Sequence, residues 1–448
     1  MKKITEIFVV TTLGMLIMAS LVSCNNLNAT EVVELHVQTQ MYEASIESDP
    51  EDVSAQFNLG MRYATGEGVA QDDERAVYWF RRAAEQGHAP AQHHLGRRYV
   101  SGIGIEQDYE LSWHWYRKAA EQGYAPAQTT LGNGYEHGLR GLEQDYERAT
   151  YWLERAAEQN YLFAMSNLAW MYNRNRYYER SMYWFRRAAA QGDVDSQNRL
   201  ALNYQHGISG ATQDSERAFY WYKRAVEQGS VRAMHGLGGF FGSPFNDMQD
   251  YELSAYWHRR AAEQGLIISM FPLGQMYETG RGVTQDYERA IYWYKEAAKF
   301  GHNIAASIIG RMYTEGRIVE QDYEQAAYWF RKAVEQGSTP SMIELGRIYE
   351  TSTNVAQSYY LAAYWYRKAA EKGSAVAQDN LGRLYEYGLG VEQDYERAAY
   401  WYRRATARGY SVAQANLGRM YEYGLGVEQD YERAAYWFGR ASEHDDEQ

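Results

Sequence analysis

GSAVAQDNLGRLYEYGLGVEQDYERAAYWYRRATARG, residues 373–409, is one copy of a unit that recurs along most of a 448-residue chain. The recurrence is marked by Trp79, Trp115, Trp152, Trp184, Trp221, Trp257, Trp293, Trp329, Trp365, Trp401 and Trp437, spaced 36, 37, 32, 37 and then six times 36 residues apart. Self-similarity at such a period implies a solenoid, in which each unit packs only on its neighbours. In the quoted copy Ala377, Leu381, Gly382 and Tyr385 share one face of a first helix. Across the eleven copies the first position is Ala or Ser, the second Leu or once Ile309, and the fourth Tyr or once Phe241. The third is Gly except at Ala169 and Ala201, and a small residue there lets another helix approach closely. A second helix presents Ala398, Trp401 and Ala405 on one face. The spacing predicts that the Trp is the knob of the packing, held between the two small residues.

The punctuation agrees with two helices per unit. Gln393-Asp394 precedes the second helix, where Asp is a strong N-cap and Glu396 complements the helix dipole. Nine copies keep this Asp, and one has Ser358 instead, another capping residue. The second helix ends at Gly, as at Gly87, Gly123 and Gly409, or once at Asn160, which also tolerates a left-handed backbone. Gly388-Leu389-Gly390 reads as a turn and not as a phosphate cradle, since no strand precedes it and no third glycine follows at the required offset.

The runs A-x-x-x-L-G-x-x-Y, G-x-G and D-Y-E-x-A-x-x-W-Y-x-x-A-A together resemble the Sel1-like repeat family, a relative of the tetratricopeptide repeats. The resemblance covers roughly residues 50–444. It implies an all-α, right-handed solenoid of αα-hairpins, about eleven units over residues 51–444, used to bind proteins or peptides. It also implies that the first helices line the concave side. The residues one and four after the framework Gly then face inward, giving Arg347 with Glu350, Arg383 with Glu386 and Arg419 with Glu422, expected as i,i+3 pairs.

The ends read differently from the array. Residues 1–23 have a short basic head, an apolar run over 7–22 and the ending Leu21-Val22-Ser23-Cys24, a secretory signal that resembles a bacterial lipobox. Cys24 is the only cysteine, so an intramolecular disulfide is excluded and lipidation gives the thiol a reason to be there. Asn25 after it favours the outer membrane under the enterobacterial sorting rule. Residues 24–50 are expected to be a tether followed by a capping helix over 31–47, and an acidic tail closes the last unit, its final residues being 445–448. The formal charge of −13 argues against nucleic acid or an anionic membrane surface as the main ligand.

No catalytic or cofactor motif is found: no H-E-x-x-H, G-x-S-x-G, Walker loop or zinc-type cysteine pair is present. His93 and His94 are adjacent on a helix and point about 100° apart, which does not suit a shared metal. The reading is therefore a lipid-anchored interaction scaffold of the bacterial envelope, without cofactor. Its partner is an envelope or host protein or peptide, with the membrane touched through the lipid alone. The rivals are a cell-wall-active or β-lactamase-like enzyme and a surface factor that binds a host protein. Departures from the consensus supply the candidate site. The fourth unit loses four loop residues, the third and fifth gain one each, the sixth has an aromatic Gly-rich turn at 238–245, and the ninth lacks Gly over 351–357. In the middle of the array the inward positions become Asn133, Trp170, Leu202 and Gly239, with Phe240 beside them and Arg311 and Arg347 further along. Trp170 is expected either to be covered by the shortened loop or to stand as an aromatic anchor. Trp113, the other tryptophan outside the framework, reads as packing.

Overall fold

The computed structural model describes residues 29–351 and 358–445, so Cys24 and the ninth-unit loop over 352–357 lie outside the described residues. Among the described residues there are 23 helices and no strand. One N-terminal helix, Ala29–Ser48, is followed by eleven helix pairs, from Val53–Thr65 with Asp73–Glu85 to Ser411–Tyr423 with Tyr431–Asp445. The chain divides after Gln228 into two compact bodies. The first holds the N-terminal helix and five hairpins, the second six hairpins. In each body the two helices of a hairpin pack on each other, and its second helix packs on the first helix of the next.

The local chemistry of one unit explains its two helices. Ser374 Oγ accepts from Ala377 N at 3.3 Å and opens Ala375–Tyr387. Gly388, at φ 66°, closes it by donating its N–H to Leu384 O. Gln393 Nε2 then donates to Glu386 O at 2.8 Å, while Asp394 accepts from Arg397 N at 2.8 Å. The Gln-Asp pair thus ties down the end of one helix and caps the start of the next, Tyr395–Thr406. Asn160 takes the left-handed backbone expected of it, at φ 59°. In the shortened fourth unit Arg176 supplies the turn at φ 64°, and Tyr177 precedes the second helix without a side-chain cap. The second glycine of G-x-G has a different role. A Cβ on Gly390 would lie 2.1 Å from the carbonyl carbon of Tyr359, so the loop sits directly on the start of the preceding unit's second helix.

The core corrects the expectation about tryptophan. Trp293, Trp365 and Trp401 are half-buried, whereas the residue after each, Tyr294, Tyr366 or Tyr402, is 0% exposed. This next residue is the knob. Its ring lies on the framework glycine: a Cβ on Gly382 would meet Tyr402 at 2.9 Å, one on Gly310 would meet Phe330 at 2.8 Å, and one on Gly60 would meet Phe80 at 2.8 Å. Framework residues Ala377, Leu381, Ala398 and Ala405 are buried around it. The Trp instead sits edge-on against the exposed aromatic ring before it, as in Tyr400–Trp401 at 5.1 Å and Tyr292–Trp293 at 5.0 Å. Trp113 is core, as read from its slot: it is buried against Tyr116 and donates its indole N–H to Arg140 O at 3.0 Å.

At the N-terminus, Ala29–Ser48 lies on the first hairpin, with Thr39 and Ile46 buried. Arg62 Nη2 donates to Gln38 Oε1 at 2.6 Å and His36 Nδ1 is 3.0 Å from Gly68 O. At the other end the last helix runs as far as Asp445. No helix among the described residues is long and apolar enough to cross a membrane.

Candidate partner-binding face

Within each body the first helices of neighbouring units lie side by side, and their side chains touch across the unit boundary. In the second body this produces a ladder. Glu350 takes Arg383 Nη2 at 2.5 Å and Tyr366 Oη at 3.0 Å. Glu386, almost fully buried, takes Arg419 at 2.8 Å and Tyr402 Oη at 2.8 Å. The Arg383 and Arg419 ion pairs therefore run between units and not to Glu386 and Glu422 within their own helices, which corrects the reading from spacing. Burial, and after it the adjacent carboxylate, pushes the Tyr366 and Tyr402 hydroxyls up, so both stay donors to the glutamates. Arg347 is exposed and pairs with Glu344 of its own helix at 3.4 Å; Arg311 is also exposed on this strip.

The sixth unit breaks the ladder by losing side chains. Gly239 and Gly242 stand where the later units carry Arg or Gln and, except at Thr314, Glu, and His258 replaces the aromatic knob against Gly238. An open notch of about 380 Å³ results, lined by Gly239, Gly242, Ser254, His258, Met276 and Arg281 among others. Burial pushes His258 down to about 4, so it is neutral at pH 7. Phe240, expected to face a partner, does not. The helix Val231–Gly242 continues through the Gly-rich stretch and places Phe240, 1% exposed, in the core against Phe241. The aromatic ring left outside is Phe245, at 86% exposure.

In the first body the corresponding face keeps one ionic rung, Glu136 with Arg174, and beside it carries amide and aromatic side chains. Asn167 Nδ2 donates to Asn133 Oδ1 at 3.2 Å, and Leu202 is half-buried. Trp170 is half-buried too. Its ring stands edge-on to Phe185 at 5.1 Å, and the guanidinium of Arg199, from the next first helix, lies 5.3 Å over its face. Trp170 is thus neither covered by the shortened loop nor free on every side. Sequence reasoning missed Arg199; the signal was available, since this slot is a cation in no other unit. His93 and His94 lie edge-on at 5.9 Å, and burial pushes both down to about 4. No three His, Cys, Asp or Glu side chains converge on one point among the described residues.

The Sel1 repeat family matches the chain in eleven segments, 53–88, 89–124, 125–161, 162–193, 194–230, 231–266, 267–302, 304–338, 339–374, 375–410 and 411–446. The chain belongs to the Sel1 repeat family. It is similar to a protective antigen present in uropathogenic Escherichia coli strains that displays an SLR fold: 35% identity over 90% of this chain and 86% of that one, with a TM-score of 0.65. It is also similar to a Sel1 repeat protein from Oxalobacter formigenes, at 29% identity over 77% of this chain and 90% of that one, with a TM-score of 0.48. No curated protein matches the chain. Sel1 repeat proteins are scaffolds for protein–protein interaction, and the hairpin array described here is of that kind.

Proposed function

We propose that this Sel1 repeat protein is a lipid-anchored scaffold of the bacterial envelope that holds a protein segment against the first helices of its third to fifth units. The observation that carries the reading is the interruption of the ionic ladder. Where later units have Arg383 and Arg419 bonded to glutamates, the fourth and fifth have Trp170 and Leu202, both half-buried. A strip whose charges neutralise each other offers a partner little net affinity, whereas an aromatic within a polar rim is the usual composition of a binding hot spot. The anchor is Cys24, and its variant Cys24→Ser is expected to accumulate as precursor and to lose incorporation of a fatty-acid analogue. Retained labelling would remove the anchor from the proposal.

The binding face is tested by placing a photo-crosslinking amino acid at Leu202, and in a second strain at Tyr220, which is exposed on the second helix of the same unit. A discrete adduct from Leu202 and none from Tyr220 is expected in living cells. Equal adducts at both positions, or none at Leu202, would contradict the reading. The Escherichia coli relative is a protective antigen, which favours an outward-facing position for this chain over a periplasmic one. Protease treatment of intact cells distinguishes the two, since an outward-facing chain is cleaved without lysis.

A further inference from the structure

Every other arginine that the first helices bury to about the same degree has a carboxylate beside it. Arg62, with its side chain 13% exposed, has Glu67 at 3.1 Å, and Arg98, at 15%, has Asp73 at 2.6 Å. Arg383, at 33%, has Glu350 at 2.5 Å, and Arg419, at 35%, has Glu386 at 2.8 Å. Arg199 departs from this rule. It is half-buried in the helix Val194–His206, and among the described residues its acceptors are Asn173 Oδ1 and Ser209 Oγ, each at 3.4 Å and both neutral. Those distances are long for N–H···O bonds. Its Nε is buried with no acceptor at all, its guanidinium lies 5.3 Å over the face of Trp170, and the only group that favours its charge electrostatically is the Tyr178 hydroxyl. Burial lowers its pKa, with no carboxylate acting in the opposite direction.

A cation removed from water without a counter-ion is costly, and protein interiors ordinarily avoid the arrangement by pairing. Here the neighbouring units show what would pair it. In Glu136, Glu350 and Glu386 the position four after the framework residue is a glutamate, and each accepts an arginine from the following first helix, Glu136 from Arg174. In the fourth unit that position is Asn173, and in the fifth it is Gln205. The fourth unit thus offers Arg199, a cation at a slot that no other unit fills with one, an amide where the third, ninth and tenth units offer a carboxylate, and the exchange coincides with Trp170 and Leu202. The position of the guanidinium over Trp170 also restricts its freedom, which lowers the ordering cost when an anion binds.

We propose that Arg199, laid on Trp170, receives a carboxylate of the bound protein segment, with Asn173 and Ser209 at its edge and Leu202 taking an adjacent apolar side chain. The inference rests on the partner-binding reading above and gives that partner its chemistry: an acidic residue or chain terminus next to an apolar one. The carboxylate accepts charge-assisted N–H···O bonds from the guanidinium and supplies the counter-ion that Glu350 and Glu386 supply to Arg383 and Arg419.

The test uses fluorescein-labelled octapeptides that alternate leucine with glutamate or with glutamine, each made with a free and an amidated C-terminus. Binding to the full chain is read by anisotropy at low salt. The peptide carrying a carboxylate, internal or terminal, is expected to bind about tenfold tighter than the amidated glutamine peptide. Arg199→Gln is expected to abolish that difference while leaving the thermal midpoint unchanged or higher, because a buried unpaired charge is removed; Arg199→Lys restores part of it. Equal affinity for all four peptides, no binding of any, or undiminished preference in Arg199→Gln would each overturn the inference. If in addition Leu202 still crosslinks in cells, the binding face stands and the carboxylate assignment alone fails. If that adduct is missing as well, both fail.

Discussion

Replacing Tyr294 and Trp293 separately tests which aromatic holds the hairpins together. Tyr294 is 0% exposed, its ring rests on Gly274, where a Cβ would lie 2.7 Å away, and its hydroxyl donates to Glu278 at 2.5 Å. Tyr294→Ala therefore removes a fully buried aromatic from an interior with little room to collapse, at a cost of about 3–5 kcal/mol. Trp293 is half-buried and packs edge-on against exposed Tyr292. Trp293→Ala removes a partly hydrated ring and should cost roughly half as much. Tyr294→Phe isolates the hydroxyl, worth about 1 kcal/mol. For a body of this size a destabilisation of 1 kcal/mol lowers the midpoint by about 2–4 °C. The expected falls are then on the order of 10 °C for Tyr294→Ala, about half that for Trp293→Ala and a few degrees for Tyr294→Phe. Calorimetry of the full chain reads all three, because each body is a separate compact unit and only the second contains these residues. A fall for Trp293→Ala equal to or larger than that for Tyr294→Ala would refute the assignment of the knob.

Three further outcomes follow from named contacts. Glu386→Ala leaves Arg419 and Tyr402 without their acceptor, and should cost about 2–3 kcal/mol in a urea titration; Glu386→Gln, which still accepts from Tyr402, should cost less. Gly390→Ala should destabilise by more than about 2 kcal/mol, because its Cβ would strike the Tyr359 backbone. Gly388→Ala, with its nearest atom a Gln393 side-chain carbon at 3.2 Å, bears mainly the cost of its positive φ. His258 has its pKa lowered from 6.5 to about 4, so the unfolded chain binds more protons between those values. Its contribution is complete above about pH 6.5 and is lost as pH falls toward 4, up to roughly 3 kcal/mol. His258→Phe, which installs the ring that Phe330 provides at the same slot, should flatten the stability–pH profile over that interval. An unchanged profile would show that the other buried histidines carry the dependence.

Most of the fold is legible in the sequence because its signals are local. Gly388, Asp394 and Asn160 set backbone geometry within a few residues of themselves, so period and punctuation alone give the hairpins. What was misread depends on contacts between units. Trp401 is identical in every copy because its outer setting repeats, while the buried slot beside it accepts Phe80, Leu153, His258 or Tyr402 over the same glycine or alanine framework; invariance among copies therefore pointed one residue early. Arg383 has Glu386 at i,i+3 and Glu350 on the neighbouring helix, and only the side-by-side packing of first helices selects the second. Phe240 looked like part of a loop because Gly238, Gly239 and Gly242 surround it, yet Leu237, Phe240 and Phe241 form one apolar face of a continuing helix. Trp170 was visible as an anomaly and Arg199 as a cation in an unusual slot, but their contact was not, because the two belong to different units.

The central claim is that the partner occupies the first-helix face at Trp170, and oxidative footprinting tests it without the partner being known. Brief hydroxyl-radical exposure is applied to the chain in intact envelopes and to the purified chain, and oxidation is compared by mass spectrometry at Trp170 and at the exposed second-helix residues Tyr183 and Tyr220. Trp170 is expected to be protected severalfold in the envelope while Tyr183 and Tyr220 react equally in both samples. Equal reactivity of Trp170 in both, or protection confined to Tyr183 and Tyr220, would contradict it.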